Sequence, residues 1–318
     1  MKKQNWIFYL ISLVTVSPIF AGQWETTSEP VKIVEHENQI YMNPGWSYDG
    51  RFLAFTKANY RGILIWDADT KKITELNDEI GAGFGMQWAP KQNHILARVA
   101  EYRGIRRYSA VKIFDVGQKS AQTIVTFQKS MPDIPRWMNN GNVYFADRKG
   151  VHTVRVENPQ LKSAKVKASH DLYMIQGRSL VRQFSSAESV EPVSDFSGKR
   201  IINLSWSPDF SKIAFEVVGG SMFAMNSDGS NLVDLGVGDR PKWSPDSKAL
   251  VFMISKDDGH HFTESEIYII SANGSDRSQI TASADILEMN PSWGHDGQSL
   301  VYDVLGQGAI YSVKIGQK

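Results

Sequence analysis

Cysteine is absent from the 318-residue sequence, and this absence excludes several classes of protein. Without cysteine there is no disulfide framework and no N-terminal cysteine that could carry a lipid. A cysteine nucleophile is excluded as well, and the sequence has no Gly-x-Ser-x-Gly motif of the kind that presents a serine nucleophile. We therefore assign no catalytic residue from the sequence.

An excess of charge of either sign is also absent. Lysine and arginine together number 35, and aspartate and glutamate number 34. This balance gives the protein no general attraction to nucleic acid or to an anionic membrane surface. Beyond residue 21 no apolar run is long enough to cross a bilayer, so stable membrane insertion is not expected.

The longest apolar run lies at the N-terminus. Residues 1–21 contain two lysines at positions 2 and 3, then about 15 mostly apolar residues, and end at Ala21. This is the layout of a secretory signal peptide, and the run is shorter than the roughly 20 residues that a membrane anchor, the alternative, requires. We predict a periplasmic or secreted protein, with cleavage near Ala21 and residues 22–318 as the mature domain.

The most informative feature of the sequence is a phrase repeated around tryptophan. Six copies begin at Trp46 (WSYDGRFLAF), Trp88 (WAPKQNHILA), Trp137 (WMNNGNVYF), Trp206 (WSPDFSKIAF), Trp243 (WSPDSKALVF) and Trp293 (WGHDGQSLVY). A seventh, degraded copy places Tyr173 in the tryptophan position. The copies start 42, 49, 36, 33, 37 and 50 residues apart. A period in this range, with the apolar and polar alternation of strands, indicates an array such as a propeller.

Each copy has the order of a four-stranded unit. A strand ending at the tryptophan leads into a turn rich in Pro, Asp and Gly, followed by a second, a third and a short outer strand. We predict an all-β protein, a single β-propeller of four-stranded blades. Seven blades are favoured because the 69 residues from Trp137 to Trp206 suit two short blades, and six blades are the alternative. The aspartates of the first turns are predicted to be turn-formers, and they are Asp49, Asp209, Asp246 and Asp296.

The two ends of the chain predict how the ring closes. The last copy ends after its third strand, and IVEHENQIYMNPGWSYDG from Ile33 aligns without gaps with ITASADILEMNPSWGHDG from Ile280. Residues near Val31 to Val34 should therefore supply the outer strand of the last blade. Joining both ends in one sheet removes two exposed strand edges.

The phrases NPGWSYDG, LSWSPDFSKIAF, PKWSPDSKALVF and NPSWGHDG resemble the Trp-Ser-Pro-Asp-Gly repeats of TolB-type propellers. The resemblance covers the mature chain and concerns the propeller alone, without the N-terminal α/β domain of TolB. It implies the propeller fold. Propellers with this repeat serve as protein-docking platforms, as substrate gates and occasionally as lyases, so the resemblance leaves the function open.

Function is expected on loops that the rigid ring holds in place. The connections between second and third strands, and those between blades, should share one face around the channel mouth. Guanidinium groups in the segment EYRGIRRYS suit a carboxylate or phosphate, and its rings suit stacking on a sugar or peptide group. The alternative is a solvated loop whose arginines pair with acids such as Glu101. The candidate ligand-binding residues are Asn59, Tyr60, Arg61, Tyr102, Arg103, Arg106 and Arg107.

The segment SKDDGHHFTESE offers oxygen and imidazole ligands for a divalent metal such as calcium or manganese. Its candidate ligands are Asp257, Asp258, His260 and His261, with Glu264 and Glu266 close by. The spacing matches no defined metal loop. A charged, solvated hairpin tip without a cofactor is therefore the favoured interpretation, and a bound metal is the alternative.

The glycine-rich segment GAGFG, residues 81–85, has the composition of a phosphate-binding loop. Such a loop needs a helix directly after it, and the sequence predicts none here. We therefore predict a close approach of backbone near the channel.

Together these observations predict an exported, monomeric propeller that binds or scaffolds through its loop-rich face. The partner would be an envelope or extracellular protein, or an anionic or saccharide ligand, held by loops whose fixed positions reduce the ordering cost of binding. The alternative is a metal-assisted lyase or hydrolase acting on an acidic oligosaccharide, with His260 or His261 as metal ligand or base.

Overall fold

The structure is a computed structural model that describes residues 24–129, 133–147, 150–156, 168, 170–187, 189–193, 196 and 198–318. The predicted signal peptide lies outside these residues. The described part of the chain forms 27 strands and one short 3₁₀ turn, η1 (Ala58–Tyr60). It contains no helix with the length and apolar character needed to span a membrane.

The strands follow one another along the chain in seven groups. Two short strands come first, β1 (Trp24–Thr26) and β2 (Val31–Val34). Blade 1 consists of β3 (Tyr41–Trp46), β4 (Phe52–Lys57), β5 (Arg61–Asp67) and β6 (Ile73–Asn77). Blade 2 consists of β7 (Gln87–Ala89), β8 (Gln92–Arg103), β9 (Arg106–Asp115) and β10 (Ser120–Gln128). Blade 3 shows β11 (Arg136–Trp137), β12 (Val143–Asp147) and β13 (Gly150–Val154).

The second half of the ring continues this order. Blade 4 shows β14 (Leu172–Gln176), β15 (Ser179–Gln183) and β16 (Val190–Pro192). Blade 5 consists of β17 (Ile201–Trp206), β18 (Lys212–Val217), β19 (Met222–Asn226) and β20 (Val233–Gly236). Blade 6 consists of β21 (Asp239–Trp243), β22 (Ala249–Asp257), β23 (Phe262–Ser271) and β24 (Ser278–Gln279). Blade 7 contains β25 (Glu288–Trp293), β26 (Ser299–Val304) and β27 (Ala309–Gln317).

Both N-terminal strands complete blade 7. β2 pairs antiparallel with β27, with Val31 opposite Ser312 and Lys32 opposite Tyr311, as the sequence predicted. β1 extends the same edge and places Trp24 opposite Gln317, a pairing that the sequence did not predict. The prediction of a seven-bladed all-β propeller closed by an N-terminal strand is confirmed, and blades 3 and 4 each have three strands among the described residues.

The hydrophobic core is divided into seven clusters, each between two neighbouring blades. At the seam where the ring closes, Tyr41 and Leu53 of blade 1 pack with Val301 and Ile310 of blade 7. Each blade therefore buries apolar side chains on both of its faces, and no blade can fold its core alone. This explains why the sequence repeats once per blade.

The repeated tryptophans connect neighbouring blades by hydrogen bonds as well as by packing. In four blades the indole Nε1 donates to a backbone carbonyl that lies one residue before the tryptophan of the preceding blade. These bonds join Trp88 to Gly45 at 2.8 Å, Trp137 to Gln87 at 3.3 Å, Trp243 to Ser205 at 3.4 Å and Trp293 to Lys242 at 3.2 Å. The repeated tryptophan thus determines both how neighbouring blades pack and how their first strands, the innermost strands of the blades, are aligned.

Blade 4 departs from this pattern. Its Tyr173 is fully buried and packs against Trp206, with ring centroids 5.8 Å apart. The strand register puts Met174 opposite Val181, and both pack toward blade 3, as Trp293 and Leu300 opposite it pack toward blade 6. The expectation that Tyr173 occupies the tryptophan position is therefore wrong by one residue, because strand side chains alternate and Tyr173 faces blade 5.

The aspartates of the first turns serve the turns, as predicted. Asp49, Asp209 and Asp246 each accept a hydrogen bond from the serine two residues earlier, at 2.6 to 2.7 Å. Asp296 accepts the backbone N–H of Gln298 at 2.9 Å. These four carboxylates are therefore engaged in hydrogen bonds that stabilise their own turns.

Two tryptophans provide a matched test of the bonds between blades. Trp88 donates to Gly45, whereas the buried Nε1 of Trp46 has no hydrogen-bond partner among the described residues. We expect Trp88→Phe to lower the free energy of unfolding by about 1 kcal/mol more than Trp46→Phe, since only the first loses a hydrogen bond. Urea denaturation of both variants measures the difference. Equal losses would show that the indole bond adds nothing to packing.

Candidate functional site

One face of the ring carries the connections between second and third strands together with those that join the blades, and we call it the loop face. Backbone hydrogen bonds hold the two kinds of connection side by side. Ala58 N–H donates to Ile40 at 3.0 Å, Gly83 N–H to Tyr60 at 3.1 Å and Leu305 N–H to Leu287 at 3.0 Å. The connections of this face that the structure describes throughout are 35–40, 58–60, 78–86, 104–105, 218–221, 237–238, 258–261, 280–287 and 305–308.

The predicted arginine segment forms the tip of a long hairpin on this face. β8 and β9 pair without interruption from His94 opposite Asp115 to Arg103 opposite Arg106. We call residues 101–108 the arginine hairpin. A strand ladder of this length projects the tip outward, and the Ile105 side chain is 98% exposed.

The arginines of the hairpin differ in their contacts. Arg103 is held by Glu101, with Nε 2.7 Å from the carboxylate, and stacks over the ring of Tyr108 at 4.3 Å. For Arg103, this pairing agrees with the alternative interpretation, a solvated loop whose arginines pair with acids such as Glu101. Arg106 and Arg107 are exposed, as is Tyr102. The hairpin therefore presents two solvent-facing guanidinium groups and an aromatic ring beside a fixed Arg103.

The second predicted group lies in η1 and the start of β5. Asn59 and Tyr60 both have left-handed backbone conformations, with φ of 59° and 57°, which is strained for residues other than glycine. The Tyr60 ring packs edge-on against Phe84 at 5.1 Å, and its hydroxyl accepts a hydrogen bond from Arg240 Nη2 at 3.3 Å. Tyr60 thus lies at the channel mouth, where blades 1 and 6 meet across the ring.

Arg61 is engaged differently from the hairpin arginines. Its guanidinium forms a two-pronged ion pair with Asp78, at 2.6 to 3.0 Å. This pairing, helped by Lys57, lowers the pKa of Asp78 to about 2. A ligand would have to displace the Asp78 carboxylate in order to use Arg61, so its predicted binding role is the least supported of the set.

The segment 78–86 connects these two groups. Ile80 forms a bridge with Ala100 at the base of the arginine hairpin, and Gly83 lies beside Tyr60. Its glycines permit close packing: a Cβ on Gly83 would lie 2.2 Å from Thr56, and one on Gly85 would lie 2.6 Å from Ile134. This is the close backbone approach that the sequence predicted for GAGFG.

Sequence reasoning missed a charged cluster behind the hairpin. Arg98 lies on β8 with Nη1 3.3 Å from the carbonyl of Asp133, and its guanidinium stacks over Phe84 at 5.8 Å. Burial lowers the pKa of Arg98, Arg107 lowers it further, and Asp133 opposes both effects. With Arg98, the positive charge of the arginine hairpin therefore extends along β8 toward the channel. The signal in the sequence was a lone arginine inside the apolar run ILARVA.

The predicted metal ligands lie at the tip of the β22–β23 hairpin. Asp258 accepts the backbone N–H groups of His260 at 2.9 Å and His261 at 2.7 Å, and Asp257 accepts that of Gly259 at 2.9 Å. These bonds lower the pKa of Asp258. Within the part of the chain that the structure describes, no three His, Cys, Asp or Glu side chains are grouped as metal ligands. A metal at this tip stays a prediction.

A carboxylate pair lies beneath the same hairpin. Glu288 is 2% exposed and accepts the hydroxyl of Ser283 at 2.7 Å, while its Oε2 has no partner among the described residues. Burial, with a smaller contribution from Glu266, raises the pKa of Glu288 to about 7, against the effect of Ser283. Ser283 and Glu266 line an adjacent pocket of about 350 Å³. No feature of the sequence indicated that Glu288 and Glu266 lie together.

Exposed apolar side chains are concentrated on the loop face. Of the 14 large apolar side chains that are exposed in the described part of the chain, ten lie in its connections or at the hairpin ends beside them. The ten are Ile40, Ile80, Phe84, Tyr102, Ile105, Val218, Val237, Phe262, Ile286 and Leu305. The opposite face, with its serine and aspartate turns, contributes far fewer. Such an asymmetry is typical of an interaction surface.

The protein is similar to known proteins in structure, whereas comparisons of its sequence find no match. No protein-family model matches the chain, and no curated protein does. TolB from Acinetobacter baumannii superposes with a TM-score of 0.56 at 15% identity, over 84% of this chain and 60% of the TolB chain. The chain thus spans less than two thirds of that TolB.

Two oligogalacturonate lyases are similar over nearly their full length. The enzyme from Vibrio parahaemolyticus has a TM-score of 0.63 at 12% identity, covering 92% of this chain and 97% of the lyase. A second lyase, in complex with manganese, has a TM-score of 0.57 at 12% identity, covering 93% and 98%. At these identities the likeness establishes the fold, a β-propeller like those of TolB and of these lyases.

Proposed function

We propose that this protein is an exported docking module that binds a partner protein through the loop face. The observation that carries the proposal is the concentration of exposed apolar side chains there, next to the solvent-facing Arg106 and Arg107. Aromatic residues and arginine dominate binding energy at protein interfaces, and apolar patches bordered by polar groups mark such surfaces. Export is supported by the signal-peptide pattern of residues 1–21.

The charge of the hairpin defines the chemistry of the partner. Arg103 is already held by Glu101 and Tyr108, so it orders the tip before binding. Arg106 and Arg107 then offer guanidinium groups that suit carboxylates. The proposed partner therefore presents an acidic patch next to apolar residues.

Neutralising the hairpin should abolish partner capture without unfolding the ring. We expect the variant Arg106→Gln/Arg107→Gln to lose the crosslinked partner of the tagged protein in its own cells, because both side chains are exposed and no strand pairing depends on them. Mass spectrometry of the affinity-purified complexes measures the loss, and a bait mass without residues 1–21 would check export. Arg103 is left in place so that the hairpin keeps its order.

The matched control is the variant Lys91→Gln/Lys119→Gln, which removes two exposed positive charges at the opposite end of the same blade. It should retain the partner. A partner retained by the arginine variant, or lost equally by both variants, would contradict docking through the loop face.

A second candidate function is metal-assisted cleavage of an acidic oligosaccharide. Its support is the likeness in fold to an oligogalacturonate lyase that was solved with manganese. This function requires stoichiometric bound metal and turnover of uronate oligomers that chelation abolishes. Turnover retained by the arginine variant but lost on His260→Ala/His261→Ala would favour the lyase over the docking module.

A further inference from the structure

The inner strands carry few charged side chains, and one of them differs from the rest. Within the ranges the structure gives for the seven first strands, five residues are charged: Arg136, Asp239, Arg240, Lys242 and Glu288. Arg136 pairs with Asp133 at 2.5 Å, Asp239 accepts the Ser255 hydroxyl at 2.9 Å, and Glu288 accepts that of Ser283. Arg240 donates to Tyr60 and to the Asn290 side chain. The Lys242 ammonium has no hydrogen bond or ion pair with any described residue.

The position of Lys242 in the ring follows from the tryptophan bonds. Its carbonyl accepts the indole of Trp293, as those of Gly45, Gln87 and Ser205 accept the indoles of their neighbours. Lys242 therefore occupies the position before the tryptophan on the strand that borders the central channel. In the two neighbouring blades this position is Ser205 and Ser292, which are short. Their small side chains leave room at this level for the longer lysine.

Lys242 is accessible to solvent although it is surrounded by protein. The side chain is exposed, yet burial lowers its pKa, and Arg240 lowers it further. Both facts fit a group inside an enclosed, water-accessible space, and the position of Lys242 on the first strand makes that space the channel. Among the residues that the structure describes, no carboxylate contributes to this shift of the Lys242 pKa. A cation without a counter-charge in such a place is costly, and ligand-binding sites are where proteins tolerate that cost.

We propose that the central channel contains an anion site in which Lys242 binds a carboxylate of a ligand. A single ammonium binds as a point charge, which suits a carboxylate that enters along the channel. At the equivalent position of the preceding blade, the Ser205 hydroxyl is buried and has no partner among the described residues, so it offers no competing contact to the ligand. The inference does not depend on the docking proposal, because the channel and the arginine hairpin are separate surfaces.

The carboxylate could belong to an acidic peptide or to a uronate saccharide, and three probes distinguish them. Citrate tests for the carboxylate itself, pentaglutamate for a peptide source and digalacturonate for a saccharide source. Inorganic phosphate serves as the non-carboxylate anion. Reductive methylation of the folded protein with ¹³C-formaldehyde keeps the lysine charge and gives each lysine a separate NMR signal, and the Lys242 signal is assigned by its absence in Lys242→Arg.

We expect citrate and one of the two larger probes to shift the Lys242 signal in a saturable way and to raise its pKa. Isothermal titration calorimetry of the unmodified proteins should show that Lys242→Met binds that probe about tenfold or more weakly than the wild type. Lys248→Met, which removes an exposed ammonium on the first turn of the same blade, should bind as the wild type does. Unchanged thermal unfolding of the Lys242→Met variant would show that the loss is not structural.

Three outcomes would overturn the proposal. The first is a Lys242 signal that none of the carboxylate probes shifts. The second is equal binding by the wild type and by Lys242→Met. The third is a shift with phosphate that is as large as the shift with the carboxylate probes. Because these measurements concern Lys242 and leave the hairpin arginines unchanged, failure here does not affect the partner capture by the arginine hairpin, so the two proposals fail separately.

Discussion

Replacing Arg136 with methionine should destabilise the propeller by about 3–5 kcal/mol. Arg136 and Asp133 form an ion pair at 2.5 Å, and the two side chains are only 3% and 4% exposed. Asp133 also accepts the backbone N–H of Ile175 at 2.9 Å, so this carboxylate connects blade 3 to blade 4. Without the guanidinium, a buried negative charge would lack its main partner. Chemical denaturation of the purified variant measures the loss.

Two further variants show whether the unpaired charge causes this loss. Arg51 forms exposed ion pairs with Asp67 and Asp69, and Arg51→Met should cost less than about 1 kcal/mol. In the double variant Arg136→Met/Asp133→Asn, removal of the carboxylate should recover part of the stability. If the loss in the double variant equalled the sum of the losses measured for Arg136→Met and for Asp133→Asn alone, the side chains would act independently and the pair would not be the cause.

The sequence was sufficient to predict the ring. A blade buries apolar side chains on both faces, so the pattern that makes one interface must recur at the next, and the tryptophan phrase shows that recurrence. Closure by Val31–Val34 could be predicted for the same reason, because the segment before Trp46 copies the segment before Trp293. The strand β1 escaped prediction because its three residues carry no periodic signal of their own.

The site was predictable only in part. The arginine hairpin stands out in the sequence because its charges are consecutive, and the structure places it on the predicted face near Tyr60. Contacts formed by ring closure were not predictable. Arg240 reaches Tyr60 across 180 positions of sequence, and Asp303 reaches Asn43 across 260. The position of Lys242 was not predictable for the same reason. Its place beside the channel follows only when the first strands of the seven blades are compared in the structure.

Asp303 connects the last blade to the first. It is 3% exposed, and its Oδ1 accepts the backbone N–H of Asn43 at 2.8 Å and the side-chain amide of Asn290 at 2.9 Å. Asn43 and Asn290 occupy equivalent left-handed positions on β3 and β25, where each inner strand bulges. The carboxylate therefore fixes two bulges at the seam of the ring.

The buried Asp303 should make the protein more stable at pH 5 than at pH 8. Burial raises its pKa from 3.8 to about 7, even though Asn290, Asn43 and Arg240 oppose the shift. A carboxyl whose pKa is raised in the folded state binds its proton more tightly there, so its contribution to stability is complete below about pH 4 and is lost as the pH rises through about 7. We expect a loss on the order of 2 kcal/mol between pH 5 and pH 8, measured by urea denaturation.

The variant Asp303→Asn isolates this effect, because its amide oxygen can accept the same two hydrogen bonds without ionising. Its stability should change less between pH 5 and pH 8 than that of the wild type, and at pH 8 it should be the more stable of the two. Glu37→Gln, which removes an exposed carboxylate from the connection between β2 and β3, should differ from the wild type by less than about 0.5 kcal/mol at either pH. A pH dependence that persists unchanged in Asp303→Asn would assign it to other groups, first among them Glu288, whose pKa burial also raises to about 7. That result would also mean that the Asp303 carboxylate stays ionised at the seam without a large loss of stability. The nearby Arg240 guanidinium would then offset the cost of burying this charge.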